Sequence, residues 1–217
     1  MSIDSQQAFT DDERELAGMV REFADEVIAP RSYEADRAHE LPLDIVAQMG
    51  DLGLFGLPFP EEVGGQGGDY AALCVAIEAI ARVDQSLAIT LEAGVGLGAM
   101  PLYRFGSDAQ KAEYLPDLVA GRALAGFGLT EAEAGSDAGA TRTTARLDGD
   151  EWVIDGSKQF ITNSGTAITS YVAVTAVTDR SGERPEISTI IVPRGTPGFT
   201  VGAAYDKVGW NASDTHP

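Results

Sequence analysis

Basic residues are scarce in this sequence. Lys and Arg number 15 against 34 Asp and Glu, a formal net charge of −19. A nucleic-acid backbone is bound by neutralising its phosphates with Lys and Arg, and an anionic lipid surface is bound the same way. The balance therefore argues against nucleic acid as the main partner and against docking on acidic lipid. Cysteine is scarcer still. Cys74 stands alone, so no internal disulfide and no cysteine-built metal site can form. It sits in the apolar run AALCVAIEAIA, where a buried small hydrophobe is the expectation. The two histidines, His39 and His216, lie far apart in polar segments with no H-x-x-x-H or H-E-x-x-H spacing, so no metal site is expected. G-x-S-x-G is absent, as is any Ser/His/acid set, and hydrolase chemistry has no footing. No uncharged apolar run reaches the ~20 residues needed to cross a membrane. The opening MSIDSQQAFTDDERE has neither the positive start nor the apolar centre of a secretory leader. The expectation is a reduced, soluble, cytoplasmic protein without membrane insertion.

Apolar residues make up 44% of the 217, enough for a real core in one large domain or two small ones. Residues 1–122 read as helix. Thr10 and Glu13 form a candidate capping box, after which Leu16, Met19, Val20, Phe23 and Val27 recur at helical spacing until Pro30 ends the run. Pro42 opens a short helix with Ile45, Val46 and Met49. LGLFGLPFPEEVGGQGGD is a connecting loop. Residues 69–82 and roughly 85–104 are two helices apolar nearly all round, hence buried. Asp108 caps a last helix that Gly121 closes. Beyond Gly121, short segments rich in Thr, Val, Ile and aromatics alternate with period two between Gly, Asp and Pro, with hairpin signals at Asp148-Gly149 and Asp155-Gly156. The fold class is α+β, with an all-α domain over 1–122 and a small antiparallel barrel or sandwich over 123–217. Helices followed by strands exclude a βαβ alternation. The strand pattern stops at the last residue without a closing element, which reads as a chain cut short.

Two motifs mislead. Gly94, Gly96 and Ala99 fit G-x-G-x-x-A, but no second βα unit follows, and a small-residue helix face is the better reading. The cluster Gly64-Gly65-Gln66-Gly67-Gly68 lacks the Lys-Ser/Thr of a phosphate loop and reads as a turn.

The informative stretch runs from Gly126 to Gly165. Its first strand delivers Thr130 and Glu131 into a loop of small residues that includes Gly135, Ser136 and Gly139. Small residues let backbone N–H groups approach a phosphate or a polar ring edge. Its second strand delivers Phe160, which can cover one face of a planar cofactor, and Thr162, which can donate to its edge. Phe and Thr are also ordinary strand residues, and Gly-Ser-Asp an ordinary turn, so residue types alone leave both readings open.

At these residues the sequence resembles a family. LTE-x-x-AGSDA followed by DG-x-KQFITN is similar to the acyl-CoA dehydrogenase signature. PFPEEVGGQGGDY, FGSDAQKAEYLPDLVAG, ALAGFGLTE and DKVGWNASDT extend the likeness over the whole chain. It departs at Ala132-Glu133, where many members have Pro or Asn and then Gly, and Phe160 stands where several carry Trp. The resemblance implies a helical domain, a middle β-barrel and a C-terminal four-helix bundle, the last lying outside these residues. It implies FAD as cofactor, with Phe127, Leu129 and Thr130 flanking the isoalloxazine and Thr130 donating to its pyrimidine side. Phe160, Ile161 and Thr162 would take the opposite side, Phe160 against the ring and Thr162 near N5. Gly135 and Ser136 would belong to the flavin loop, and Ser136 would also touch the pantetheine arm of an acyl-CoA substrate. The implied reaction is α,β-dehydrogenation to the trans-2-enoyl-CoA, with electrons leaving to an electron transfer flavoprotein. The implied assembly is a homo-oligomer, a tetramer in the family. The family's base, a Glu, usually lies in the bundle. Glu131 and Glu133 are weak substitutes, loop charges by expectation, so no catalytic residue is assigned here and these residues alone are expected to be inactive. Acyl-CoA oxidase or flavin monooxygenase chemistry on the same scaffold, or a non-catalytic partner subunit, are the alternatives.

Overall fold

The structure, a computed structural model, describes residues 9–217. The leaderless reading of the first eight residues lies outside them. The described residues divide into two compact units, one of residues 9–123 with 207–213, the other of 124–206 with 214–217.

The first unit is helical. Thr10 and Glu13 close the expected capping box on α1 (Asp11–Phe23), the Thr10 side chain accepting from the Glu13 N–H and the Glu13 carboxylate from the Thr10 N–H. Pro30 does not end the run. A π turn, Ala24–Ile28, follows α1 and leads straight into α2 (Ala29–Ala38), with Pro30 in its first turn. The wider π turn takes up the proline ring and its missing donor. Next comes α3 (Leu43–Asp51), which buries Ile45, Val46 and Met49. The Gly/Pro-rich connection holds two 3₁₀ turns. Within it Gly65 is required by close approach, since a Cβ there would lie 2.0 Å from the Phe59 carbonyl oxygen.

Asp69 caps α4 (Tyr70–Ala81), and the buried Asp84 caps α5 (Gln85–Glu92) by accepting from the Leu87 N–H at 2.8 Å. A π segment, Ala93–Ala99, contains the G-x-G-x-x-A residues and passes into α6 (Met100–Phe105). The motif is thus helical, with Gly94 and Ala99 buried. The continuous stretch Gln85–Phe105 is long and apolar enough to cross a membrane despite Glu92 and Arg104, and most of it is buried inside the structure. In α4, Leu73, Val75, Ala76, Ala79 and Ile80 face the core. Cys74 does not: it is exposed, because α4, although apolar nearly all round, buries only part of its circumference. Ser107 rather than Asp108 caps α7 (Asp108–Val119), in a box with Gln110. Asp108 adds negative charge to the first turn, where the helix dipole favours it. After α7, Gly121 takes the left-handed conformation at φ 69°. Residues 207–213 return to this unit: the Asn211 N–H donates to Asp36 Oδ1 at 2.7 Å, and the Trp210 indole N–H donates to Gln85.

The second unit is built on sheets. Strands β1 (Leu124–Gly128), β2 (Thr144–Asp148), β3 (Glu151–Asp155), β5 (Thr169–Asp179) and β6 (Glu186–Pro193) form one sheet. The short strands β4 (Ile161–Thr162) and β7 (Thr215–His216) form another. The expected antiparallel pairing is found in β2–β3, β5–β6 and β4–β7. By contrast, β1 runs parallel to β5, from Leu124 opposite Thr169 to Gly128 opposite Val174. The long connection through residues 129–168 makes a parallel return feasible, which a tight hairpin cannot.

Asp148 and Glu151 pair across a two-residue turn with Gly149 at φ 65°. Asp155-Gly156 is not a hairpin. Gly156 is needed for close approach, because a Cβ there would lie 2.7 Å from the Thr143 Cα.

Candidate functional site

The end of β1 and the start of β4 are brought side by side. Gly126 permits this: a Cβ at that position would lie 3.0 Å from the Thr162 carbonyl oxygen and 3.1 Å from Ile161 Cγ2. One step on, the Gln159 N–H donates to the Thr130 carbonyl at 2.8 Å. Phe127 is half-buried, Leu129 exposed and Thr130 half-buried along the first run. On the second, Phe160 is exposed, Ile161 buried and Thr162 half-buried. The Ile161 side chain packs with Val172, Val174 and Val192 in the core.

Among the described residues, Phe160 is one of four non-glycine residues with a left-handed backbone, with His39, Asn163 and Trp210. Its φ is 61°, while the residue stays 59% exposed. For a bulky L-residue this conformation costs about 1–2 kcal/mol, and such strain clusters at functional sites. The ring lies 4.9 Å from that of Tyr205, tilted by 33°. Sequence reasoning missed Tyr205. A single aromatic after the small residues Gly202, Ala203 and Ala204 was the only local sign of it.

The loop after β1 begins with a tight turn in which Glu131 and Ala134 exchange backbone hydrogen bonds. Gly135 and Ser136 are exposed, with open space where a Gly135 Cβ would stand. Glu131 is not a loop charge. It is 8% exposed, and its carboxylate accepts from Thr141 Oγ1 at 2.6 Å, the Arg142 N–H at 2.7 Å, the Thr143 N–H at 3.0 Å and Lys158 Nζ at 2.7 Å. Burial alone would raise its pKa, but the Lys158 ammonium and these donors outweigh burial and hold it far below the usual carboxylate range. Glu131 is therefore a fixed anion and a very poor proton acceptor. Glu133 is an exposed loop charge, as expected, paired with Arg142. Lys158 also escaped sequence reasoning, because only the fold sets it against Glu131.

A helical unit thus precedes a sheet unit that presents an exposed aromatic, two half-buried threonines and a small-residue loop. The comparisons are more specific. Residues 10–122 match the family described as acyl-CoA dehydrogenase, N-terminal domain, and residues 126–217 match acyl-CoA dehydrogenase, middle domain. The chain belongs to the acyl-CoA dehydrogenase family. A probable acyl-CoA dehydrogenase of Bacillus subtilis is 45% identical over 207 residues, covering 95% of this chain and 54% of that protein. A chain in a structure of the electron transferring flavoprotein of Acidaminococcus fermentans superposes with TM-score 0.89 at 40% identity, covering 100% of this chain and 55% of that one. Glutaryl-CoA dehydrogenase of Mycobacterium smegmatis in complex with FADH2 gives TM-score 0.91 at 32% identity, covering 98% and 53%. The chain thus spans about half the length of the curated relatives it matches.

Proposed function

We propose that the protein carrying this chain is an FAD-dependent acyl-CoA dehydrogenase. It would form the trans double bond between Cα and Cβ of an acyl-CoA thioester and pass the electrons to an electron transfer flavoprotein. The observation that carries this reading is the exposed, strained Phe160 beside Thr162, next to the end of β1, in a chain of this family. The residues fit a flavin: an uncovered aromatic face, half-buried threonines, and open space at Gly135. When bound, FAD supplies the acceptor for the hydride leaving Cβ. Phe160 would cover one face of the ring. Thr130 would donate to its pyrimidine edge, where fixed donors favour the reduced form, and Thr162 would stand near N5. Phe127 and Leu129 would give apolar contact. Gly135 and Ser136 would let the ligand's polar chain approach the backbone, Ser136 also meeting the pantetheine arm.

The α-proton needs a base, and Glu131 is unsuited because its carboxylate is already fully hydrogen-bonded and firmly ionised. The base belongs to the C-terminal helical domain that the family resemblance implies. A cytoplasmic homo-oligomer completes the proposal.

The test is anaerobic titration of the FAD-loaded protein with a panel of acyl-CoAs. Bleaching of the flavin band with formation of the 2-enoyl-CoA is expected, with slow reoxidation by O₂ and fast reoxidation by an electron transfer flavoprotein. No bleaching by any acyl-CoA overturns the reading, and rapid reoxidation by O₂ redirects it to an oxidase. Residues 1–217 alone are expected not to bleach, since general-base catalysis is typically worth ~10²–10⁴ in rate.

A further inference from the structure

The sheet unit contains a buried polar cluster that the proposed chemistry does not use. Lys158, 9% exposed, places Nζ within 2.7 Å of Glu131 Oε1, 2.9 Å of Thr141 Oγ1, 3.0 Å of Thr175 Oγ1 and 3.1 Å of the Leu129 carbonyl oxygen. The three Nζ N–H groups are shared among these four acceptors, and the two hydroxyls pass their own protons onward. The Thr141 hydroxyl accepts from Lys158 and donates to Glu131, while the Thr175 hydroxyl accepts from Lys158 and donates to the Gly128 carbonyl at 3.2 Å. Gly128 leaves room for the lysine stem, because a Cβ there would stand 3.2 Å from Lys158 Cγ.

The cluster therefore grips the end of β1 at Gly128 and Leu129, both ends of the loop at Glu131 and at Thr141–Thr143, and the chain two residues before Phe160. A buried ion pair is weak evidence for stability, since an apolar pair of similar volume often serves equally well. What an apolar pair cannot do is hold the Leu129 carbonyl and the Arg142 and Thr143 N–H groups in set directions.

We propose that Glu131 and Lys158 are positioning residues. They hold Leu129-Thr130 and Phe160-Thr162 in mutual register, so that the flavin's edge and face are met together, and they anchor the small-residue loop at both ends. This role rests on the flavin reading above. It is distinct from proton transfer, which the pair does not perform.

The experiment compares FAD-loaded parent protein with Lys158→Met, the double variant Glu131→Leu/Lys158→Met, and Thr175→Val. FAD dissociation constants and visible spectra are measured well below the melting temperature, and thermal melts separately. Lys158→Met strands a buried carboxylate and should lower the melting temperature sharply. The double variant removes both charges and should recover most of that loss. It should nevertheless hold FAD ~10–100-fold more weakly, as when outer-shell partners of a bound group are removed, with a flavin band shifted toward that of free FAD. Thr175→Val keeps the ion pair and severs the link to Gly128, and should show a smaller loss of the same kind. Parent-like FAD affinity, within twofold, and a parent-like spectrum in the double variant overturn the proposal whatever its melting temperature. If the double variant does not fold, the same result in Thr175→Val overturns it. A parent that binds no FAD overturns the flavin reading itself and this role with it.

Discussion

Phe160 allows backbone strain and ligand binding to be measured apart. Its φ of 61° is a conformation that glycine adopts freely and a side chain does not. Two replacements separate the contributions. Phe160→Ala removes the ring and keeps the strain, whereas Phe160→Gly removes both. Relief of left-handed strain is worth about 1–2 kcal/mol, and the extra freedom of glycine in the unfolded chain returns roughly 0.5–1 kcal/mol of it. The glycine variant should therefore be more stable than the alanine variant by up to about 1.5 kcal/mol, a rise of up to roughly 6 °C in melting temperature. The residue is 59% exposed and its ring touches Tyr205 on one side, so neither variant leaves a deep cavity. FAD affinity should behave differently. Both variants lose the same aromatic face, worth about 1–3 kcal/mol for a stacked base, and should bind FAD roughly 5–150-fold more weakly than the parent. The assays are thermal unfolding by circular dichroism and flavin fluorescence on titration. An alanine variant more stable than the glycine variant would show that residue 160 is unstrained. Unchanged FAD affinity in both would remove Phe160 from the flavin site.

Three further outcomes are expected. Thr162→Val deletes one donor to the flavin edge, worth roughly 1.5–3 kcal/mol toward a charged acceptor, and should make the midpoint potential about 30–65 mV more negative for a two-electron couple; an unchanged potential places Thr162 away from that edge. Glu131 is held ionised in the folded protein far below its unfolded pKa, so its contribution is complete above the unfolded value of about 4.3 and fades as pH falls. Glu131→Gln should therefore be less stable than the parent at pH 7 and lose less on acidification below about pH 4.5, and parallel pH–stability curves would contradict the buried pair. Gly126→Ala drives a Cβ to 3.0 Å from the Thr162 carbonyl and should cost about 1–3 kcal/mol through overpacking, with weaker FAD binding; a neutral result in chemical denaturation means that β1 and β4 are not in close contact.

Much of this protein was legible in the order of its residues, because the signals concerned act over a few positions. The Thr10–Glu13 capping box, the helix at 70–81, the glycine-closed end of α7 and the turn at Gly149 each depend on spacing within one or two turns of chain. The change from helical to strand texture after Gly121 is local in the same sense, and the motif around Phe160 pointed to the family by likeness. Where local reasoning failed, an adjustment of the backbone or a distant packing partner had decided. Pro30 stays within a helical run because a π turn absorbs it, and Gly156 sits where it does because Thr143 lies against it. Cys74 is exposed because only part of the α4 surface is covered, which composition cannot reveal. The pairing of Glu131 with Lys158, and of Phe160 with Tyr205, joins residues far apart in sequence, and only the pairing of strands brings them together. An isolated glutamate in a glycine-rich loop reads as a solvated charge. Burial beside an ammonium, two backbone N–H groups and a hydroxyl makes it a fixed structural anion, and burial is a property of the folded chain.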